Sequence, residues 1–204
     1  YRSGIFPMSD ARDDPEVFWI EPQLRAILPL DGFRMSRSLA RRLRRGGYRV
    51  TCNAAFSQVM DLCAAPRAGD EAGSWISHRI QASYERLHVL GHAHSIECWQ
   101  DDGEDSPPRL VGGLYGVGFD RVFCGESMFS LATDSSKAAL AWLVAALRRA
   151  GAELLDCQFM TEHLASLGAV EITQERYVSL LTAAQRDYAG WGSAASGVGE
   201  GARA

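Results

Sequence analysis

The 204-residue chain lacks several features that would assign it to a class at once. No apolar run reaches the roughly 18 residues of a membrane-spanning helix. The opening YRSGIFPMSD has no basic segment followed by an apolar one, so it does not read as a signal peptide. It also does not begin with Met, which predicts that the natural N-terminus lies further upstream. There is no CxxC pair. The cysteines number five (Cys52, Cys63, Cys98, Cys124, Cys157) and are scattered, which favours free thiols in a reducing cytoplasm over disulfides or structural zinc. There is no internal repeat. From Arg34 to Arg49 there is no acidic residue, while seven arginines fall there. The net charge of −4 argues against a general nucleic-acid binder, but a local cluster matters more to a polyanion than the sum.

At 47% hydrophobic and 23% charged residues, the composition suits one soluble globular domain, with room for a small accessory lobe. Residues 1–33 are punctuated by Phe6-Pro7, Asp13-Asp14-Pro15, Glu21-Pro22, Leu28-Pro29 and Asp31-Gly32. Short strands are expected there, at Phe18-Trp19-Ile20 and Ala26-Ile27-Leu28. This predicts a small N-terminal lobe over 1–33, with Trp19 packed as its anchor. A main domain over 34–188 and a disordered Gly/Ala/Ser tail over 189–204 follow.

Within the main domain, Ser36 is placed to cap a helix over 37–45. Arg37, Arg41, Arg44 and Arg45 share one of its faces, and Leu39 and Leu43 form its buried stripe. A guanidinium fork matches phosphate oxygens, so this face suits a phosphate backbone. Further helices are expected over 54–65, capped by Asn53; over 75–90, opened by Ser74; over 136–149, capped by Asp134 and Ser135; over 161–167; and over 175–184. Ile76, Ile80, Tyr84 and Leu87 mark one core stripe, and Leu140, Leu143, Val144 and Leu147 another. Strands are expected over 48–52, 94–99, 110–117, 121–124, 153–158 and 170–172, which gives an α+β fold around one central sheet.

The stretch LVGGLYGVGFDRVFCGESMFS (110–130) organises the rest. It reads as a hairpin followed by a polar loop at Gly125-Glu126-Ser127. Gly112, Gly113 and Gly116 weaken a strand unless something approaches its backbone closely or it bulges. A carboxylate beside so apolar a strand needs a partner. Both features predict a hairpin end kept open for a ligand.

Other chemistry is poorly supported. In the predicted strand 153–158, Asp156 and Gln158 share one face and Leu155 and Cys157 the other. Two polar residues on a core strand need partners or a function. Cys157 has no neighbouring base in sequence to make it a nucleophile. His92 and His94 could share a face and bind metal, but no third ligand follows at a known spacing. GESMF lacks the final glycine of the G-x-S-x-G elbow of serine hydrolases.

GIFPM (4–8), YRVTCNAAF (48–56), SWI (74–76), LHVLGHAHSIECW (87–99), LVGGLYGV (110–117), VFCGESMFS (122–130), SKAAL (136–140), LLDCQF (154–159) and HLASLGAVEI (163–172) together resemble the leucyl/phenylalanyl-tRNA–protein transferases. The resemblance covers nearly all of residues 1–182. It implies a bacterial cytoplasmic enzyme that moves Leu or Phe, and less readily Met, from aminoacyl-tRNA to a protein's N-terminal Arg or Lys, marking that protein for degradation. It implies a small N-terminal lobe plus a domain like the GNAT acetyltransferases, with a mixed, mostly antiparallel sheet, and neither cofactor nor metal. By position, Glu126 matches the acid that receives the acceptor N-terminus. Asp156 and Gln158 match the catalytic pair, read here as Gln158 aiming the amine and Asp156 polarising Gln158. Leu114, Leu140, Leu143 and Leu155 match the pocket for the transferred side chain. Trp19 and Trp75 match aromatics near the terminal adenosine, and Tyr84 joins the substrate-binding residues. The arginines Arg37, Arg41, Arg44 and Arg45 would meet the tRNA. Met8 stands where many members carry Trp, and Leu143 where some carry an aromatic. Acyl-CoA enzymes of the wider class carry a Q/R-x-x-G-x-G/A loop. Its nearest match here, Arg148 to Glu153, ends in a carboxylate that would repel pyrophosphate, which disfavours a CoA donor. A CoA-using acyltransferase and a tRNA- or degron-binding module without catalysis are the rival readings.

Overall fold

The densest run of β-forming residues folds into a hairpin, and the other strands pair outward from it. The computed structural model describes residues 1–66, 74–101, 103 and 106–185. In chain order the strands are β1 (Phe6–Met8), β2 (Phe18–Ile20), β3 (Leu24–Ile27), β4 (Arg49–Cys52), β5 (Ala93–Gln100), β6 (Arg109–Phe119), β7 (Val122–Ser130), β8 (Leu154–Gln158) and β9 (Val170–Thr173). The helices are α1 (Arg37–Arg44), α2 (Phe56–Ala64), α3 (His78–Val89), α4 (Ser135–Ala150), α5 (Glu162–Ser166) and α6 (Gln174–Ala184). Seven strands form one sheet in the order β4-β5-β6-β7-β8-β3-β9. Its pairs are antiparallel except β7 with β8, and β1 and β2 form a separate two-stranded ribbon.

Each face of the sheet is covered by helices whose apolar stripes match the expected periodicity. On one face α2, α3 and α6 bring Phe56, Met60, Ile80, Tyr84, Tyr177 and Leu181 onto Tyr115 and Val117. On the other, α4 buries Leu140, Leu143, Val144 and Leu147 against Leu114, Phe123 and Leu155, and α1 adds Leu39. Each fully buried Leu or Phe contributes about 1.5–3 kcal/mol, so these stripes hold the sheet.

The division expected at residue 33 does not follow the sheet. β3 lies within 1–33, yet it pairs with both β8 and β9 in the main sheet, because Ala26 and Ile27 are core residues. Trp19 is not a packed anchor: it is 63% exposed on β2. The helix caps also move. Asn53 has φ 59°, and its side chain accepts the Ser95 N–H (3.0 Å) and lies 3.1 Å from the His94 ring, so it ties β4 to β5 rather than starting α2. Ser77 caps α3 in place of Ser74, whose hydroxyl is held by the Ile76 N–H. Asp134 has φ 64° and binds Lys137 instead of the helix start. The tail over 189–204 lies outside the described residues.

The hairpin itself departs from expectation twice. β7 does not stop at Cys124; Gly125-Glu126-Ser127 lies inside it. The glycines are used for protein packing, with no space reserved for ligand at Gly112 or Gly116. A Cβ on Gly112 would overlap Ser135 at the start of α4, and one on Gly116 would overlap the Cys124 carbonyl and the Phe123 ring. They let a helix end and an irregular strand approach the hairpin backbone.

Candidate active site

Two local irregularities create the site. Opposite β6, Gly125 pairs with Gly116 and Ser127 with Tyr115, so Glu126 is an extra residue in β7, a β-bulge that re-aims its side chain. On its other edge β7 pairs with β8 only at Val122–Leu154, Phe123–Leu155 and Cys124–Asp156. Beyond that pair no further register joins the two strands among the described residues. Glu126 and Gln158, each two residues past it, both line the cleft that opens there.

This cleft has a volume of about 840 Å³. Leu114, Met128, Leu140, Leu143 and Leu155 line it together with Glu126 and Gln158, and Met8, Trp75 and Phe159 also contribute to its wall. Four buried polar atoms on cleft-lining residues have no hydrogen-bond partner among the described residues: Glu126 Oε1, Gln158 Nε2, the Tyr115 hydroxyl and His163 Nε2. Buried polar groups are normally satisfied, so these are open to a ligand.

Glu126 is only 8% exposed. Burial pushes its pKa up to about 7, opposed by the neighbouring hydroxyls of Tyr1 and Tyr84. Tyr84, from α3, donates to Oε2 at 2.8 Å, and the Tyr1 hydroxyl meets that of Tyr84. A carboxylate held at one oxygen by Tyr84 and open at the other, titrating near neutrality, suits a cationic group that must shed a proton.

Asp156 is oriented differently. It is fully buried, and Arg25 of β3 grips it with two hydrogen bonds, Nε to Oδ1 (2.8 Å) and Nη2 to Oδ2 (2.6 Å). Gln158, at the end of β8, has φ 63°, a left-handed conformation rare outside glycine. That turn breaks the strand alternation: Gln158 lines the cleft although Asp156, two residues earlier, does not.

The arginine helix forms as expected. Ser36 caps it through the Leu39 N–H (3.1 Å), and Leu39 is buried. Arg37, Arg41, Arg44 and Arg45 are exposed. Burial raises the Cys157 thiol pKa well above its ordinary range, which leaves it a poor nucleophile. His94 is buried beside Asn53 while His92 is exposed. Glu97 is buried among Thr51, Ser95 and the Ala55 N–H, a satisfied structural carboxylate. Among the described residues no group of three or more His, Cys, Asp or Glu is arranged to hold a metal ion.

The model of the leucyl/phenylalanyl-tRNA protein transferase family matches residues 27–182. A leucyl/phenylalanyl-tRNA–protein transferase from Novosphingobium aromaticivorans is 70% identical over 188 residues, covering 92% of this chain and 69% of the relative. The chain belongs to this family. A second transferase, from Zymomonas mobilis, is 54% identical over 188 residues, covering 92% of this chain and 68% of its own. A solved structure of L-PGS from Bacillus licheniformis is 16% identical, covers 70% of this chain and 49% of that one, and superposes with a TM-score of 0.45.

Most of the positions matched to the transferase motifs meet in the cleft. Leu114, Leu140, Leu143, Leu155, Trp75, Glu126 and Gln158 line it. Trp19 stands exposed on β2, Tyr84 is buried behind Glu126, and Asp156 is buried within β8, held by Arg25. Sequence reasoning missed Arg25, Tyr115, Tyr177 and Tyr1. Arg25 carried a signal: a lone arginine inside LRAI must find a partner if that strand is buried. Nothing in sequence joins Tyr1 to Tyr84, which are 83 positions apart.

Proposed function

We propose that this protein transfers Leu or Phe from aminoacyl-tRNA to the α-amine of acceptor proteins that begin with Arg or Lys. In this reading it works in the bacterial cytoplasm, marks its acceptors for degradation, and uses no cofactor or metal. The observation that carries the reading is that Glu126 and Gln158 line one cleft with Leu114, Leu140, Leu143 and Leu155. The partly unpaired β7 and β8 strands support a GNAT-like fold for the domain.

The transferred side chain packs on the leucines of the cleft. The ester carbonyl lies within reach of Glu126 and Gln158, and Trp75 on the cleft wall is available to the terminal adenosine. The acceptor enters as an ammonium, whose pKa of about 7.7–8.0 leaves it partly protonated at neutral pH. Glu126 draws in this cation through its open oxygen and takes its proton, while the Gln158 carboxamide oxygen aims the amine. The amine nitrogen then attacks the ester carbonyl carbon. The C–N bond forms, the bond to the ribose oxygen breaks, and the second proton shed by the nitrogen passes to that oxygen, which leaves as a hydroxyl. Holding two reactants in this geometry lowers a bimolecular barrier by up to about 7–11 kcal/mol. The exposed arginines of α1 hold the tRNA backbone.

An assay with tRNA charged with radiolabelled leucine and an Arg-starting peptide tests this. Labelled peptide is the expected product. Binding of charged tRNA with no transfer would make the chain a recognition module, and acylation from acyl-CoA instead would make it a CoA enzyme. Glu126→Ala should raise the KM for the peptide and leave aminoacyl-tRNA binding intact. Equal loss of both would remove Glu126 from the acceptor site.

A further inference from the structure

Four donors converge on the two oxygens of Asp156. Arg25 Nε (2.8 Å) and the Gln158 backbone N–H (2.9 Å) reach Oδ1. Arg25 Nη2 (2.6 Å) and the Tyr177 hydroxyl (3.1 Å) reach Oδ2. A carboxylate offers about four lone-pair sites, so these bonds leave no open position for a substrate proton. The group is also absent from the cleft wall and has no exposed surface.

Arg25 is held as firmly as its partner. Its guanidinium lies over the rings of Phe6 (4.6 Å) and Tyr177 (4.3 Å), and Nη1 donates to the Gly4 carbonyl (3.0 Å). It projects from β3, where the pairing to β8 shifts register between Ala26 and Ile27, beside the turn that carries Gln158. The link between Asp156 and the cleft runs through the Gln158 main chain. Its Oδ1 fixes the N–H of a residue whose φ of 63° side chains rarely adopt.

We infer that Arg25 and Asp156 form a clamp on the Gln158 peptide that turns the carboxamide into the cleft, so that both are positioning residues and Asp156 carries no proton during transfer. This rests on the reading of the cleft as the transfer site. The negative charge of Asp156 then serves to balance Arg25, and the site requires only that its oxygen accept one N–H. A proton-carrying Asp156 requires the carboxylate itself.

Removing both charges separates these roles. Asp156→Asn alone leaves a buried guanidinium without its counter-charge and should lower kcat at least 100-fold. Adding Arg25→Met removes the stranded charge, while the Asn oxygen still accepts the Gln158 N–H. The pair should regain at least tenfold in kcat over Asp156→Asn, with the KM for the Arg-starting peptide near that of the parent. A folded pair no more active than Asp156→Asn overturns the clamp. Tyr177→Phe decides the matter if the pair does not fold. It removes one neutral hydrogen bond to Oδ2 and leaves the contact of Oδ1 with the Gln158 N–H in place. An unchanged pH–rate profile supports the clamp, and an acid limb moved upward overturns it. Amide exchange at Gln158 is read alongside and needs no activity: slow in the parent and at least tenfold faster in Asp156→Ala supports the clamp, and equal rates overturn it. A parent that transfers nothing while keeping this contrast counts against the proposed function and leaves the clamp standing.

Discussion

The Tyr84 hydroxyl donates to Glu126 Oε2 at 2.8 Å, from the buried side of the sheet. That bond favours the ionised carboxylate and partly offsets the burial that raises its pKa to about 7. Tyr84→Phe removes the offset. A hydrogen bond to a charged group contributes about 1.5–3 kcal/mol, and about 1.36 kcal/mol corresponds to one pH unit. The pH below which the acceptor KM rises should therefore move up by about one unit. Peptide kinetics between pH 6 and pH 9, on the order of half-unit steps, checks this.

Glu126 also makes stability depend on pH. Its folded pKa is raised, from an ordinary 4.5 to about 7. The folded state is thus favoured below the ordinary value, and that advantage is lost as pH rises through about 7. The difference corresponds to about 3 kcal/mol. Glu126→Gln should be more stable than the parent at pH 8 by an amount of that order and close to it at pH 4.5. Urea unfolding at the two pH values gives the comparison.

In the proposed reaction the leucines of the cleft would set the size of the accepted side chain. One methylene in an apolar pocket discriminates by about 1–3 kcal/mol. Leu143→Ala enlarges the wall and should shift transfer toward Phe over Leu by about tenfold or more. Competition between Leu-tRNA and Phe-tRNA in one reaction measures the ratio.

Reversing charge at Arg41, Arg44 and Arg45 should weaken tRNA binding most at low salt. The slope of log affinity against log salt falls by about 0.7–0.9 for each phosphate that is no longer neutralised. Binding titrations from about 50 to 200 mM salt reveal it. A defect of equal size at every salt concentration would indicate misfolding.

Gly116→Ala should destabilise the fold by about 1–3 kcal/mol or more, because its Cβ meets the Cys124 carbonyl and the Phe123 ring, and neither can move without disturbing the hairpin. Thermal unfolding provides the test. A neutral result would mean that the hairpin relaxes around the added methyl.

Helical stripes were legible in the sequence because burial repeats along a helix: Leu140, Leu143, Val144 and Leu147 all point into the core. The hairpin was legible from its composition, and Glu126 and Gln158 from their motifs. The residues that hold them were not. Arg25 meets Asp156 across 131 positions, and Tyr84 meets Glu126 across 42, through packing that no local pattern encodes. The shared face expected of Asp156 and Gln158 failed because strand alternation assumes extended backbone, and Gln158 leaves it. Asn53 was misplaced because an Asn before a helix can also satisfy a neighbouring strand, as it does at Ser95.

The bulge at Glu126 has a consequence for how the site could be removed. Val122 and Cys124 face one core and Phe123 the other; past the bulge Met128 faces the second core and Phe129 the first. Taken without Glu126, residues 122–125 and 127–129 alternate without interruption against β6. A chain shortened by this one residue is expected to form an unbroken ladder with the remaining side chains on the faces they already hold, and to leave the buried Tyr84 hydroxyl without its acceptor. The carboxylate of the cleft is a single extra residue in a strand whose alternation continues on either side of it.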